Sequence, residues 1–154
     1  MNILSFNCSL GWITLYEENN SVTSIKFGKN KNVGKNPVLN ELKKQIIEFT
    51  KGKRKFFSVK LHIEGSVLQK KIWNKLRNVK YGKTKSYGDI AKELGTSPRY
   101  VGNVCGQNNH LLVIPCHRVV RSDGTLGGFS GSGGIKLKKK NLLKYHLILQ
   151  HGDM

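Results

Sequence analysis

β-branched and aromatic residues crowd three short runs at the start of the chain, NILSFNC (2–8), WITLYE (12–17) and SVTSIKF (21–27). Leu10-Gly11 and Glu18-Asn19-Asn20 separate them, and this spacing predicts a small antiparallel meander. Asn36-Pro37 then opens a helix in which Leu39, Leu42, Ile46 and Phe49 share one face until Gly52. Strict alternation returns with Phe57, Val59, Leu61 and Ile63 against Ser58, Lys60, His62 and Glu64, which predicts a fourth, half-buried strand.

From Ser66 the period changes to that of a helix. Leu68, Ile72, Leu76 and Val79 fall on one face, with Trp73 beside them and lysines opposite. The change of period puts a domain boundary near Gly65, giving residues 1–64 and 65–154. SYGD (86–89) reads as a capping box in which Ser86 accepts from the backbone and Asp89 reaches back. That helix carries Ile90, Ala91 and Leu94 and stops at Gly95. Ser97-Pro98 starts another, with Tyr100, Val101, Val104 and Cys105. Two short helices across a glycine turn fit a helix-turn-helix with the second as recognition helix, and equally an αα-hairpin packed in a core. A last basic helix is expected from about Ile135.

Charge alters this picture. There are 27 Lys and Arg against 9 Asp and Glu, a net charge of +18. Residues 1–50 hold six bases and four acids, and residues 51–154 hold 21 bases and five acids, so the excess is assigned to the second part. Such a field attracts polyanions in a salt-dependent way, and nucleic acid is the first candidate. Nine acids cannot pair 27 bases, which disfavours ion-pair networks as the reason for the lysines. The start of the chain lacks the pattern of a signal peptide, and no apolar run reaches the roughly 18–20 residues that span a bilayer. Cys8, Cys105 and Cys116 form no C-x-x-C pair, so a reducing, cytoplasmic setting is expected in place of a disulfide framework.

Cys116 ends the apolar run LLVIP and is followed by His117. Three readings compete: a packed core cysteine, a metal ligand, or a reactive thiol. A metal site needs about four ligands at short spacing, and the histidines at 62, 110, 117, 146 and 151 are scattered, so no metal is expected. Arg118 and Arg121 favour the thiolate, and His117 can take its proton. If the backbone is extended at 116–117, the two side chains point to opposite faces and communicate through a water or across a tight turn.

The stretches IWNKLRNVKYGKTKSYGDIAKELG, SPRYVGN, NNHLLVIPCHRVV and GGFSG, in that order, are similar to those of the 6-O-alkylguanine-DNA alkyltransferases, most closely the compact microbial and archaeal members. The resemblance covers residues 66–146 well and residues 1–64 only in outline. It implies an α+β fold: a ribonuclease-H-like N-terminal sheet with a helix, then a winged-helix-like C-terminal domain with the helix-turn-helix. It implies a monomer that flips the damaged base of double-stranded DNA through the minor groove and moves the alkyl group to its own Cys116. The substrates would be 6-O-alkylguanine and 4-O-alkylthymine, with no cofactor. By matching position, Cys116 is the nucleophile, His117 its water-mediated base, and Tyr87 the proton donor to the leaving guanine. Arg99 would fill the gap left by the base, and Asn108 would join the recognition helix to the active-site turn. The backbone of Val119 and Ser130 would grip the base edge, while Ser122 and Thr96 would touch phosphates.

The chain departs from the family pattern at three places. Phe129 replaces a tyrosine beside the base. Tyr100 follows Arg99 where alanine is usual. His146 stands where a glutamate would orient His117. Two other functions fit parts of the sequence: a non-catalytic alkylguanine-recognition protein, which Cys116 argues against, and a helix-turn-helix regulator with a structural cysteine.

Overall fold

The computed structural model describes residues 1–121. The chain forms two compact units, one comprising Met1–Ile63 with Asn109–Val113, the other Glu64–Asn108 with Ile114 onward.

The first unit is a three-stranded antiparallel sheet in the order β1 (Asn2–Cys8), β2 (Gly11–Glu18), β3 (Ser21–Phe27), as the apolar runs predict. Asn19 and Asn20 turn the second hairpin at φ of 52° and 63°, values that asparagine tolerates better than most side chains. The register sets Leu4 opposite Leu15 and Leu15 opposite Ile25. Helix α1 (Pro37–Thr50) contributes Leu39, Leu42, Ile46 and Phe49 to the core, which also holds Ile13, Leu15 and Ile25. Its start is fixed by Asn36, whose Oδ1 accepts from the N–H groups of Val38 at 2.8 Å and Leu39 at 3.2 Å. Glu17 is 3% exposed, and its carboxylate accepts from Asn2 Nδ2, the Asn20 N–H and Asn36 Nδ2 at 2.8–3.0 Å. One satisfied buried acid thus ties strand, turn and helix cap together.

The expected fourth strand is not a strand. Alternate side chains of Phe57–Ile63 are half-buried as the pattern requires, but the segment makes a single parallel bridge, Leu61 to Val22. The buried side chain of Gln45 on α1 takes the backbone of Ser58 instead, accepting from its N–H at 3.0 Å. A sheet ladder cannot use that group. The outer edge of β3 is covered a second time by Asn109–Leu111, through Ile25 N–H to Asn109 O at 2.8 Å and Leu111 N–H to Ile25 O at 3.3 Å. Short covering segments of this kind keep a sheet edge from pairing with other chains.

The second unit contains α2 (Val67–Arg77), α3 (Tyr87–Leu94) and α4 (Pro98–Gly106), with a two-residue parallel pair of β4 (Lys85–Ser86) and β5 (Val119–Val120). Ser66 and Gln69 form a reciprocal capping box on α2. Ile72, Trp73 and Leu76 are buried, and Trp73 Nε1 donates to Val104 O of α4 at 3.1 Å. The predicted box on α3 is only half made. Ser86 Oγ accepts from the Asp89 N–H at 2.9 Å, but Asp89 does not return the bond. Aspartate is a methylene shorter than the Glu or Gln that completes this motif. Glu93 on α3 lies between Lys75, at 3.3 Å, and Lys85, at 2.6 Å. The Lys85 bond holds its carboxyl below the usual range. Among the described residues no helix is long and apolar enough to cross a membrane.

Candidate active site

The helix-turn-helix is built by local rules. Gly95 takes the left-handed conformation at φ 68°, ending α3, and Thr96 N–H bonds Ala91 O at 2.9 Å. Ser97 then caps α4 by accepting from the Tyr100 N–H at 3.1 Å, with Pro98 in the first turn. Val101, Val104 and Cys105 point into the unit, leaving Arg99 exposed and Thr96 and Tyr100 partly so.

Past α4 the chain enters LLVIPCHRVV through two γ-turns of opposite hand. In the first unit, Leu112 sits at φ 68° and is spanned by Val113 N–H to Leu111 O at 2.8 Å, the rarer and more strained form. In the second unit, Pro115 sits at φ −82°, ψ 68° and is spanned by Cys116 N–H to Ile114 O at 2.9 Å. Cys116–Arg118 then form one 3-10 turn. The extended alternative is thereby excluded, because Arg118 N–H reaches Pro115 O at 3.0 Å and closes the turn. Cys116, His117 and Arg118 are all buried, and buried Val119 pairs with Lys85 in the short sheet.

The sulfur of Cys116 is bonded to α4 and its end. Its Sγ–H donates to Cys105 O at 3.4 Å, and it accepts from Asn108 Nδ2 at 3.3 Å. The same Asn108 amide donates to Ile114 O at 2.8 Å. When the thiol loses its proton, its own bond to the Cys105 carbonyl is lost, while that carbonyl still accepts from the Asn108 backbone N–H at 3.2 Å and the Asn108 side-chain N–H remains aimed at a sulfur now carrying negative charge. Tyr87, at the first turn of α3, is 7% exposed. Burial, then the nearby thiols of Cys105 and Cys116, hold its phenol well above the ordinary range, with Arg121 opposing. It is therefore a neutral O–H at physiological pH.

Arg118 was readable as a positive charge near the thiol; its burial was not. Its Nη1 donates to Val79 O, just past the end of α2, at 2.8 Å, and its guanidinium lies 5.6 Å from the Tyr81 ring centre. Burial lowers its pKa to about 10, partly offset by Tyr81. The carbonyl of Cys105 is the other partner that sequence reasoning missed, since a helix backbone atom leaves no mark in a motif. The structure thus brings Tyr87, Asn108, Cys116, His117 and Val119 into one unit with Arg99, Thr96 and Tyr100 on its helix-turn-helix. Ser122, Phe129, Ser130 and His146 lie outside the described residues, as does the last helix. Cys8, in the first unit, is partly buried, with Sγ 3.5 Å from Gly11 O. No cluster of three or more His, Cys, Asp or Glu side chains could hold a metal ion among the described residues.

Two short helices across a glycine turn, the second and its end hydrogen-bonded to a buried cysteine, define a class of protein in which a helix-turn-helix carries a thiol. Comparison with known proteins narrows the class. Residues 67–145 match the family model for the DNA-binding domain of 6-O-methylguanine DNA methyltransferase. The methylated-DNA–protein-cysteine methyltransferase of Sulfolobus acidocaldarius is 34% identical over 139 residues, 89% of this chain and 88% of that protein. That of Methanosarcina acetivorans is 39% identical over 98 residues, 62% of this chain, and the match spans 63% of the relative's length. Mycobacterium tuberculosis OGT, solved in complex with DNA, superposes with a TM-score of 0.78 at 27% identity, covering 89% of this chain and 88% of that one. The chain belongs to the methylated-DNA–protein-cysteine methyltransferase family.

Proposed function

We propose that this protein repairs DNA in a single turnover, taking the alkyl group of 6-O-alkylguanine, and of 4-O-alkylthymine, onto its own Cys116. The observation that carries the reading is the bonding of the Cys116 sulfur to Asn108 and to the Cys105 carbonyl: the nucleophile is held by the recognition helix and its end. Placement of α4 on DNA therefore also places the thiol.

The alkyl carbon lies within the base stack, so the base is flipped out of double-stranded DNA, at a few kcal/mol that damage to its pairing reduces. His117 takes the proton of Cys116 through a water, and the Asn108 N–H stays on the thiolate. The sulfur attacks the alkyl carbon and the carbon–oxygen bond breaks. The electron pair passes to the guanine oxygen, and Tyr87 supplies the proton that neutralises the leaving base. Arg99 fills the vacated stack, Thr96 and Ser122 contact phosphates, and Tyr100 sets how deeply α4 enters the minor groove. Val119, Phe129 and Ser130 line the base. The product thioether has no ready hydrolytic exit, so each molecule acts once and needs no cofactor. Such a thiol suits a reducing, intracellular setting, and one molecule suffices as a monomer.

Mass spectrometry of the protein after incubation with a 6-O-methylguanine oligonucleotide tests this: one methyl per chain, on the Cys116 peptide, is expected. An unchanged mass in the folded protein overturns the reading, as does transfer by Cys116→Ser. Tyr87→Phe is expected to slow transfer by about 10²–10⁴-fold, the usual weight of a positioned proton donor. If His146 leaves His117 poorly oriented, His146→Glu raises the transfer rate.

A further inference from the structure

We propose that the loop following α1 is a second DNA-contacting surface, in which Lys51, Lys53 and Lys55 meet phosphates and Phe56 stacks on an unpaired base. The proposal rests on the DNA-directed reading above and extends it to the first unit.

The excess of bases is not confined to the second unit. Residues 51–63 fold with the sheet, so the six bases of residues 1–50 are joined by Lys51, Lys53, Arg54, Lys55 and Lys60. The first unit therefore carries eleven bases against four acids, and four of the eleven lie in KGKRK, residues 51–55. The loop is also fixed. Gly52, at φ 73°, bonds Phe49 O at 3.1 Å, and Lys53 N–H bonds Glu48 O at 2.9 Å. Arg54 Nε pairs with Glu48 at 3.0 Å while Nη1 donates to Phe56 O at 3.2 Å. The nearby acid is thus neutralised by the arginine that shapes the loop. Lys51, Lys53 and Lys55 remain exposed, with no carboxylate pairing them among the described residues.

Two neighbouring phenylalanines then meet opposite fates. Phe57 packs on Phe49, with ring centres 5.3 Å apart, whereas Phe56 is 72% exposed. Lysines at the C-terminal end of α1 complement its dipole, which accounts for Lys51 and in part for Lys53. It does not account for Lys55 or for an aromatic ring left in water. Cations along a backbone path with an aromatic platform are the composition that binds single-stranded nucleic acid, because phosphates are read by charge and every base has a face to stack.

The full chain, its Lys51→Gln/Lys53→Gln/Lys55→Gln variant and a Phe56→Leu variant are titrated against a fluorescein-labelled, unmodified oligonucleotide, single-stranded and duplex, over a salt series. Transfer is measured on saturating 6-O-methylguanine duplex. The triple variant is expected to lower the slope of log affinity against log salt on single strands by about 2, at roughly 0.7 for each phosphate that the lysines no longer neutralise. Phe56→Leu is expected to weaken single-strand binding about fivefold or more. Both variants keep the parent's transfer rate at saturation. An unchanged slope with unchanged single-strand affinity overturns the proposal, and so does a Phe56→Leu loss as large on duplex as on single strands. If the parent transfers no methyl yet shows a loop-dependent salt slope, the chemistry assigned to Cys116 fails while this surface stands.

Discussion

Arg54 and Arg118 each direct a guanidinium at a backbone carbonyl, Phe56 O at 3.2 Å and Val79 O at 2.8 Å, in opposite surroundings. Arg54 is partly in water and shares its charge with Glu48. Arg118 is 9% exposed, leans on Tyr81 and pairs with no carboxylate among the described residues. The first arginine organises an exposed loop at little cost. The second carries into the interior a cation with no carboxylate partner among the described residues, and burial lowers its pKa to about 10. That cost is sustained where a turn bearing Cys116 and His117 has to be held, and where positive charge favours a thiolate.

Removing each arginine is the sharpest way to break this contrast. Arg118→Ala should destabilise the protein by about 1.5–3 kcal/mol, the range for a hydrogen bond with a charged partner, read from the urea midpoint. A loss under about 0.5 kcal/mol would put both arginines in one class. Asn108→Ala should cost less, about 1 kcal/mol, because Ile114 O keeps its bond from the Cys116 N–H. The same variant should slow iodoacetamide modification of Cys116, followed by mass, since the thiolate loses its N–H donor; an equal or faster rate would remove Asn108 from activation. Arg54→Ala should cost about 0.2–1 kcal/mol, as partly exposed ion pairs do, and leave Cys116 reactivity unchanged.

The smallest effect at neutral pH concerns Tyr87. Its folded-state pKa is raised, so both states are protonated below about pH 10 and the phenol adds no pH dependence there. Above that, the unfolded chain gives up a proton that the folded chain retains, and stability falls as pH rises. Tyr87→Phe should flatten this alkaline loss in urea titrations at successive pH values, and an unchanged slope would mean that the phenol is not buried as described.

What the sequence disclosed follows from the range of the forces involved. The three strands, α1 and the paired α3 and α4 were legible because caps, turns and apolar periods act over a few residues; Asn36, Gly95 and Ser97 serve as their types predict. The fourth strand failed because the competitor for the backbone of Ser58 is the side chain of Gln45, thirteen residues away and on another element. The two-residue pairing of Lys85–Ser86 with Val119–Val120 joins distant segments too short to show a period. In the site, the motif around Cys116 pointed to the candidate residues, yet nothing in CHRVVR tells that Arg118 is buried while Arg121 is exposed. That difference is set by Val79 O and the Tyr81 ring, which local pattern does not reach.

The return of Asn109–Val113 to the first unit bears on the order in which the protein is made. Ile25 waits for hydrogen bonds from a segment some eighty-five residues later in the chain, so a ribosome must synthesise α2, α3 and α4 before the edge of the first sheet is covered. Loop closure over that distance is slow compared with local helix formation. Cys116 emerges three residues after Val113, so this thiol enters the molecule at the moment its first unit can close.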